Sequence, residues 1–126
     1  MPQSTREWLK QAEYDIEAAQ AMFDTGRYFY AAFMCHLSIE KALKAVYVAR
    51  LHKVPPRHHN LIKFVRDTTL TPPPKLGNFI VKLNEVCVAT RYPENLAKLQ
   101  RAHTAKRAAK LLAQSREALA WIKTQS

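Results

Sequence analysis

Residues 28–50 read YFYAAFMCHLSIEKALKAVYVAR, a stretch that is apolar in its first half and charged in its second. Within residues 28–39, only His36 and Ser38 interrupt the apolar residues. From Glu40 onward charged residues enter, yet apolar residues still recur at helical spacing. The pattern predicts one long helix that is buried on most of its surface at one end and presents ammonium groups at the other.

The composition extends this prediction to the whole chain. The 126 residues suffice for one domain with a hydrophobic core, which we expect to span residues 1–126. Glycine occurs only twice, and the abundant Ala, Leu, Lys and Glu favour helices. Since no strand-like alternation and no internal repeat is found, the sequence predicts an all-α fold.

The cysteines and the hydropathy pattern indicate a cytoplasmic protein. Cys35 and Cys87 both fall on apolar helical faces, where reduced thiols are more common than a disulfide. The sequence shows no signal-peptide pattern and no apolar run of about 18 residues that would span a membrane. We therefore expect no membrane association.

The charge is distributed unevenly along the chain. Residues 1–40 contain three basic and six acidic residues, for a net charge of −3, whereas residues 41–126 contain 17 basic and four acidic residues, for +13. The total of +10 suits a polyanionic partner, although basic residues also keep proteins soluble.

Capping signals divide the chain into five predicted helices. Ser4 and Glu7 form a capping-box pattern at the start of the first helix, and Gly26 suits a left-handed cap at its end. The short connection to the second helix, at about residues 27–52, predicts an antiparallel pair. The later boundaries are marked by Pro55-Pro56, by Asn60 before a short third helix, by Pro72-Pro73-Pro74 before the fourth, and by Thr104 before the last.

The sequence thus predicts a five-helix up-and-down bundle. Residues 93–103 remain open between a loop and an extension of the last helix.

Two polar residues are predicted to be buried. Asp15 shares the core-facing spacing of the first helix, so its carboxylate needs a partner, which we expect to be Lys41, Lys44 or Arg91. Such a pair is more often structural than catalytic. His36 lies in the apolar half of the second helix and is predicted to be a neutral core or interface histidine.

Lys41 and Lys44 lie three residues apart on one face of the second helix. Glu40 can pair with Lys44 at i, i+4. The two ammonium groups either form a solvated face or contact phosphate.

The loop after Pro55-Pro56 contains adjacent histidines. Neighbouring residues do not face the same way on a regular element, and no Cys or acidic cluster completes zinc spacing. We predict no metal site and no cofactor, and we expect His59 to cap or pack while His58 is exposed.

Two basic segments suggest contacts to nucleic acid. In Thr90-Arg91-Tyr92-Pro93, Arg91 can grip a phosphate while Tyr92 stacks on a base, or Arg91 can cap the helix while Tyr92 packs. In the last helix, Lys106 and Lys110 align near Arg107 as a stripe for nucleic acid.

In order and spacing, these segments resemble the HEPN domain (higher eukaryotes and prokaryotes nucleotide-binding) of the short stand-alone prokaryotic type. The resemblance spans the whole chain. The matching residues are Trp8, Ala12, Asp15 and Ala18, the aromatic segment 28–33, Glu40-Lys41-Ala42-Leu43-Lys44-Ala45, His59 with Leu61, and Thr90-Arg91-Tyr92-Pro93.

The resemblance implies a homodimer that binds nucleotides or RNA, often beside a small nucleotidyltransferase in a toxin–antitoxin-like pair. Many HEPN proteins are metal-independent endoribonucleases in which an arginine is followed by a histidine, with four to six residues between the two. No arginine here is followed by a histidine at that spacing, and the nearest case, Arg50 and His58, has seven residues between. The hypothesis is therefore a non-catalytic module that binds nucleotide or RNA phosphates through Lys41, Lys44, His59, Arg91 and Tyr92.

The alternative is a toxin-like endoribonuclease despite the missing spacing, with Arg91 acting beside His59 or His103. The sequence does not show which of these pairs would act, so the catalytic residues of this alternative stay open.

Overall fold

The computed structural model describes residues 3–91 and 95–126, and it describes their side chains except those of residues 87–91. The described residues form helices and connecting segments, without a strand. The helices are α1 (Thr5–Asp24), α2 (Tyr28–Leu51), α3 (Leu61–Asp67), α4 (Pro74–Arg91), α5 (Leu96–Ala102) and α6 (Ala105–Lys123).

The prediction of five helices was wrong, because the open segment before the last helix contains a helix of its own, α5. Two side-chain caps explain the division. The Asn95 side chain accepts a hydrogen bond from the backbone N–H of Lys98 at 2.8 Å, and the Thr104 hydroxyl accepts one from Arg107 at 3.2 Å. Each cap starts a helix, so the chain turns between them instead of continuing α6 backwards.

The α1–α2 hairpin forms as the sequence predicted. The Ser4 hydroxyl accepts a hydrogen bond from the backbone N–H of Glu7 at 3.1 Å. At the other end Gly26 has a φ of 77°, and the next N–H, that of Arg27, donates to Met22 O at 2.8 Å. This is a Schellman cap, which satisfies the last carbonyls of α1 and reverses the chain within three residues.

Helix α2 is the central element, since it packs against α1, α3, α4, α5 and α6. Its side chains Ile39, Leu43 and Val46 are fully buried. The apolar surface of α2 is therefore covered in part by neighbours within one chain, and the predicted homodimer remains a prediction. None of the described helices is both long and apolar enough to span a membrane.

Candidate functional site

The buried carboxylate of Asp15 joins α1 to α2. Lys41 Nζ lies 2.9 Å from Asp15 Oδ2, so the partner is one of the three expected residues. The lysine side chain is itself only 21% exposed. Its charge is thus balanced within the fold, and an anion from solvent would compete with Asp15 for it.

A second buried carboxylate, Glu40, is the centre of a polar cluster on α2. It is 2% exposed, yet Lys44 Nζ lies 3.2 Å from its Oε2 and His59 Nδ1 lies 2.8 Å from its Oε1. Since a carboxylate only accepts hydrogen bonds, the Nδ1–H of His59 donates. The buried His36 also approaches, with Nδ1 3.9 Å from Oε1. Sequence reasoning missed the burial of Glu40 and saw only its pair with Lys44.

Lys44 is enclosed by aromatic rings as well as by its carboxylate. Its Nζ lies 5.2 Å from the ring centroid of Trp8 and 6.0 Å from that of Phe64, and the side chain is 14% exposed. Cation–π attraction strengthens as water is excluded, so the two rings stabilise the ammonium in place. Lys44 is therefore less available to phosphate than its position in the sequence suggested.

The roles expected for the two adjacent histidines are reversed. His58 stacks on Phe64 with centroids 4.4 Å apart, and its Nδ1 accepts a hydrogen bond from the backbone N–H of Asn60. Burial, followed by the nearby charge of Lys63, lowers the pKa of His58. His59 is 48% exposed although its Nδ1 lies against the buried Glu40, and it is His58 that covers Phe64.

Two of the predicted site residues cannot be placed beside this cluster. Arg91 is the last residue of α4, but its side chain lies outside the described residues, as does the whole of Tyr92. The structure thus brings together Lys44 and His59 around Glu40, with Lys41 one turn earlier on Asp15.

A basic groove of about 830 Å³ lies between α4 and α6. Among the ion pairs of the described residues, none involves the four cations that line it, and the described lining contains no carboxylate. All four side chains are exposed to solvent. The cations are Lys82, Lys106, Arg107 and Lys110.

Three of these cations form the stripe predicted on the last helix, whereas Lys82 was missed. It reaches the groove because α4 packs against α6, a contact that the local pattern of α4 does not signal. The Arg107 guanidinium donates to Ala102 O at 3.1 Å, which holds it at the junction of α5 and α6. His103 lies at the same junction, and burial, followed by the charge of Arg107, lowers its pKa.

In the described part of the chain, no group of three or more His, Cys, Asp or Glu side chains is arranged to hold a metal ion. The acidic centres Asp15 and Glu40 instead face lysines.

Comparison with known proteins identifies the family. The sequence profile of the HEPN domain matches residues 5–125. The fold is similar to the crystal structure of TT1696 from Thermus thermophilus, with 25% identity, a TM-score of 0.83, and coverage of 97% of this chain and 98% of that one. It is also similar to ST0689, an archaeal HEPN homologue, with 25% identity, a TM-score of 0.77 and coverage of 98% of both chains.

A third similar structure, at the level of fold, is an HEPN domain protein from Thermotoga maritima (20% identity, TM-score 0.70, 93% of this chain and 94% of that one). The comparison with curated proteins yields no matching relative. Because the family profile covers nearly the whole sequence, the chain belongs to the HEPN domain family.

Proposed function

We propose that this HEPN protein is a non-catalytic module that binds the phosphates of nucleotides or RNA. The observation that supports it most is the basic groove between α4 and α6, where four exposed cations lack a carboxylate partner among the described residues. A polyanion that enters releases counterions and neutralises charges that no carboxylate of the described residues balances.

The groove is a stronger phosphate site than the lysines of α2. Lys41 and Lys44 already lie 2.9 Å and 3.2 Å from buried carboxylates, so a phosphate would have to displace these partners. Together with His59, Arg91 and Tyr92 they remain the site proposed from the family resemblance. Homodimer formation and a nucleotidyltransferase partner in a toxin–antitoxin-like pair are proposed on the same ground.

A salt titration tests the proposal. Four phosphate contacts at about −0.7 each predict a slope of about −2.8 for log K against log salt with a single-stranded RNA. We expect the K106Q/K110Q variant to reduce that slope to about −1.4, measured by fluorescence anisotropy of a labelled 12-nucleotide RNA at pH 7.5.

A matched control is K10Q/K53Q, which removes the same charge from two exposed lysines outside the groove. It should keep the wild-type slope. Binding that does not depend on salt, or an equal loss of slope in both double variants, would show that the groove does not hold the phosphates.

One observation favours the alternative, a metal-independent endoribonuclease. Glu40 fixes the Nδ1–H of His59, which leaves the Nε2 of a half-exposed imidazole able to take up a proton. The same RNA run on a denaturing gel separates the two functions. Cleavage that disappears in His59→Ala would favour the enzyme, and intact RNA would favour the binding module.

A further inference from the structure

A second groove, of about 610 Å³, adjoins the basic groove at the junction of α5 and α6. His103 and Thr104 line both grooves, so the two share a boundary. The second groove lies between the start of α2 and the helix α5, and we call it the aromatic groove. It is lined by Tyr28, Phe29, Tyr30, Arg27, Gly26, Leu96 and Gln100, besides the two shared residues.

The rings of the aromatic groove are accessible. Tyr30 is 50% exposed, and its ring centroid lies 4.2 Å from that of Phe29 at an interplanar angle of 33°. Arg27 and Gln100 add hydrogen-bond donors at the edge of the same groove. An exposed aromatic ring beside guanidinium and amide groups suits a nucleobase, which offers a π face and polar edges.

We propose that the aromatic groove stacks an unpaired base of a single-stranded RNA whose phosphates lie in the basic groove. The proposal rests on the proposed function, since the basic groove supplies the phosphate contacts. A cationic track beside aromatic rings is how proteins bind single strands without reading their sequence. A duplex keeps its bases stacked on each other, so it gains the phosphate contacts but not the stacking. Stacking in the aromatic groove therefore adds affinity for single strands that a duplex does not gain.

The charge of this surface argues for RNA over a second copy of the chain. The described lining of the aromatic groove contains Arg27 and no carboxylate, and the groove opens beside four further cations. A symmetric contact centred here would place like charges opposite each other in two chains that each carry +10. An RNA strand neutralises the same charges.

Three labelled probes separate stacking from phosphate binding: a 12-nucleotide single-stranded RNA, the same strand with abasic residues at its central positions, and a 12-base-pair RNA duplex. The test variant is Tyr30→Ala, and the matched control is Tyr30→Phe, which keeps the ring. Since Tyr30 is half exposed, its removal leaves the buried core intact. Light scattering after gel filtration reports the mass of each variant.

We expect Tyr30→Ala to bind the single strand about 10-fold more weakly, with the duplex, the abasic strand and the salt slope unchanged. Tyr30→Phe should match the wild type. Equal affinity of Tyr30→Ala and wild type for the single strand, an equal loss for all three probes, or a change of mass in Tyr30→Ala would overturn the inference.

Failure of the proposed function gives a different result. If none of the probes binds wild-type protein with a salt dependence, the basic groove does not hold phosphates, and both proposals fall. If all three bind with the same salt-dependent affinity, phosphate binding stands and base stacking in the aromatic groove is refuted.

Discussion

Replacing Lys44 by methionine is expected to destabilise the fold more than replacing Glu40 by glutamine. Glu40 is 2% exposed and cannot reach water, so the loss of Lys44 leaves its charge buried beside the imidazole of His59. When Glu40 is replaced, the ammonium group of Lys44 can move into solvent because the lysine side chain is long and flexible. The free energy of unfolding should therefore fall further in Lys44→Met than in Glu40→Gln.

The magnitudes follow from the contacts. Removing one partner of a buried ion pair costs about 3–5 kcal/mol. We expect Lys44→Met to cost about 3 kcal/mol, at the low end of this range, because His59 Nδ1 still lies 2.8 Å from the carboxylate of Glu40. Glu40→Gln keeps an acceptor for His59 and loses one charge-assisted bond, at a cost of about 1.5 kcal/mol. Because the double variant removes both charges, we expect it to lose about 2 kcal/mol, which leaves a coupling of about 2.5 kcal/mol.

Urea unfolding followed by circular dichroism measures all four proteins of this cycle. The control is Lys10→Met, the same substitution at an exposed lysine of α1, which should stay within about 0.5 kcal/mol of wild type. The asymmetry would be refuted if Lys44→Met matched that control, or if Glu40→Gln proved the costlier change. The cycle also gives the stability that a Lys44 variant loses, which has to be known before any loss of its phosphate binding is interpreted.

Two further predictions concern groups whose pKa the fold shifts. Burial lowers the pKa of His58 and His103 below the ordinary 6.5, so the unfolded chain takes up protons that the folded protein does not. Stability should therefore fall as the pH drops below 6.5, and the H58Q/H103Q variant should show a smaller fall between pH 7.5 and 5.5 in urea unfolding; an unchanged fall would contradict this. Burial also raises the pKa of the Cys35 thiol to about 11. Peptide mapping after iodoacetamide treatment at pH 8 should find Cys35 unmodified in folded protein and modified in urea, and rapid labelling without urea would contradict its burial.

The local structure was largely predictable because the signals lie within a few residues of one another. Ser4, Asn60 and Thr104 each accept the backbone hydrogen bond expected of an N-cap, and Gly26 takes the expected positive φ. A cap and its acceptor are three residues apart, so the sequence alone contains both. Helix α5 was not predicted because it has only seven residues and one buried side chain, Leu99, too few for a helical repeat of apolar residues to be recognised in the sequence.

The contacts of the site were harder to predict because they join distant parts of the chain. Glu40 and His59 are 19 residues apart, and they meet only because the loop after Pro55-Pro56 returns across α2. Local spacing indicated the pair of Glu40 with Lys44 but not that the carboxylate is buried. That burial depends on how other parts of the chain pack against α2, which no window along the sequence reveals.

Composition counted the charges correctly but could not say which of them are balanced. Four of the six acidic residues in residues 1–40 pair with bases from the rest of the chain: Glu13 with Lys123, Asp15 with Lys41, Glu17 with Arg116, and Glu40 with Lys44. These four pairs neutralise part of the net charge of +13 carried by residues 41–126, at α1 and at the buried Glu40 of α2. No such pairing reaches the four cations of the basic groove within the described structure, and the described lining of that groove contains no carboxylate. An anion is attracted most strongly to cations that no carboxylate of the protein already neutralises. For this reason we propose that phosphates bind between α4 and α6 rather than on the charged half of α2.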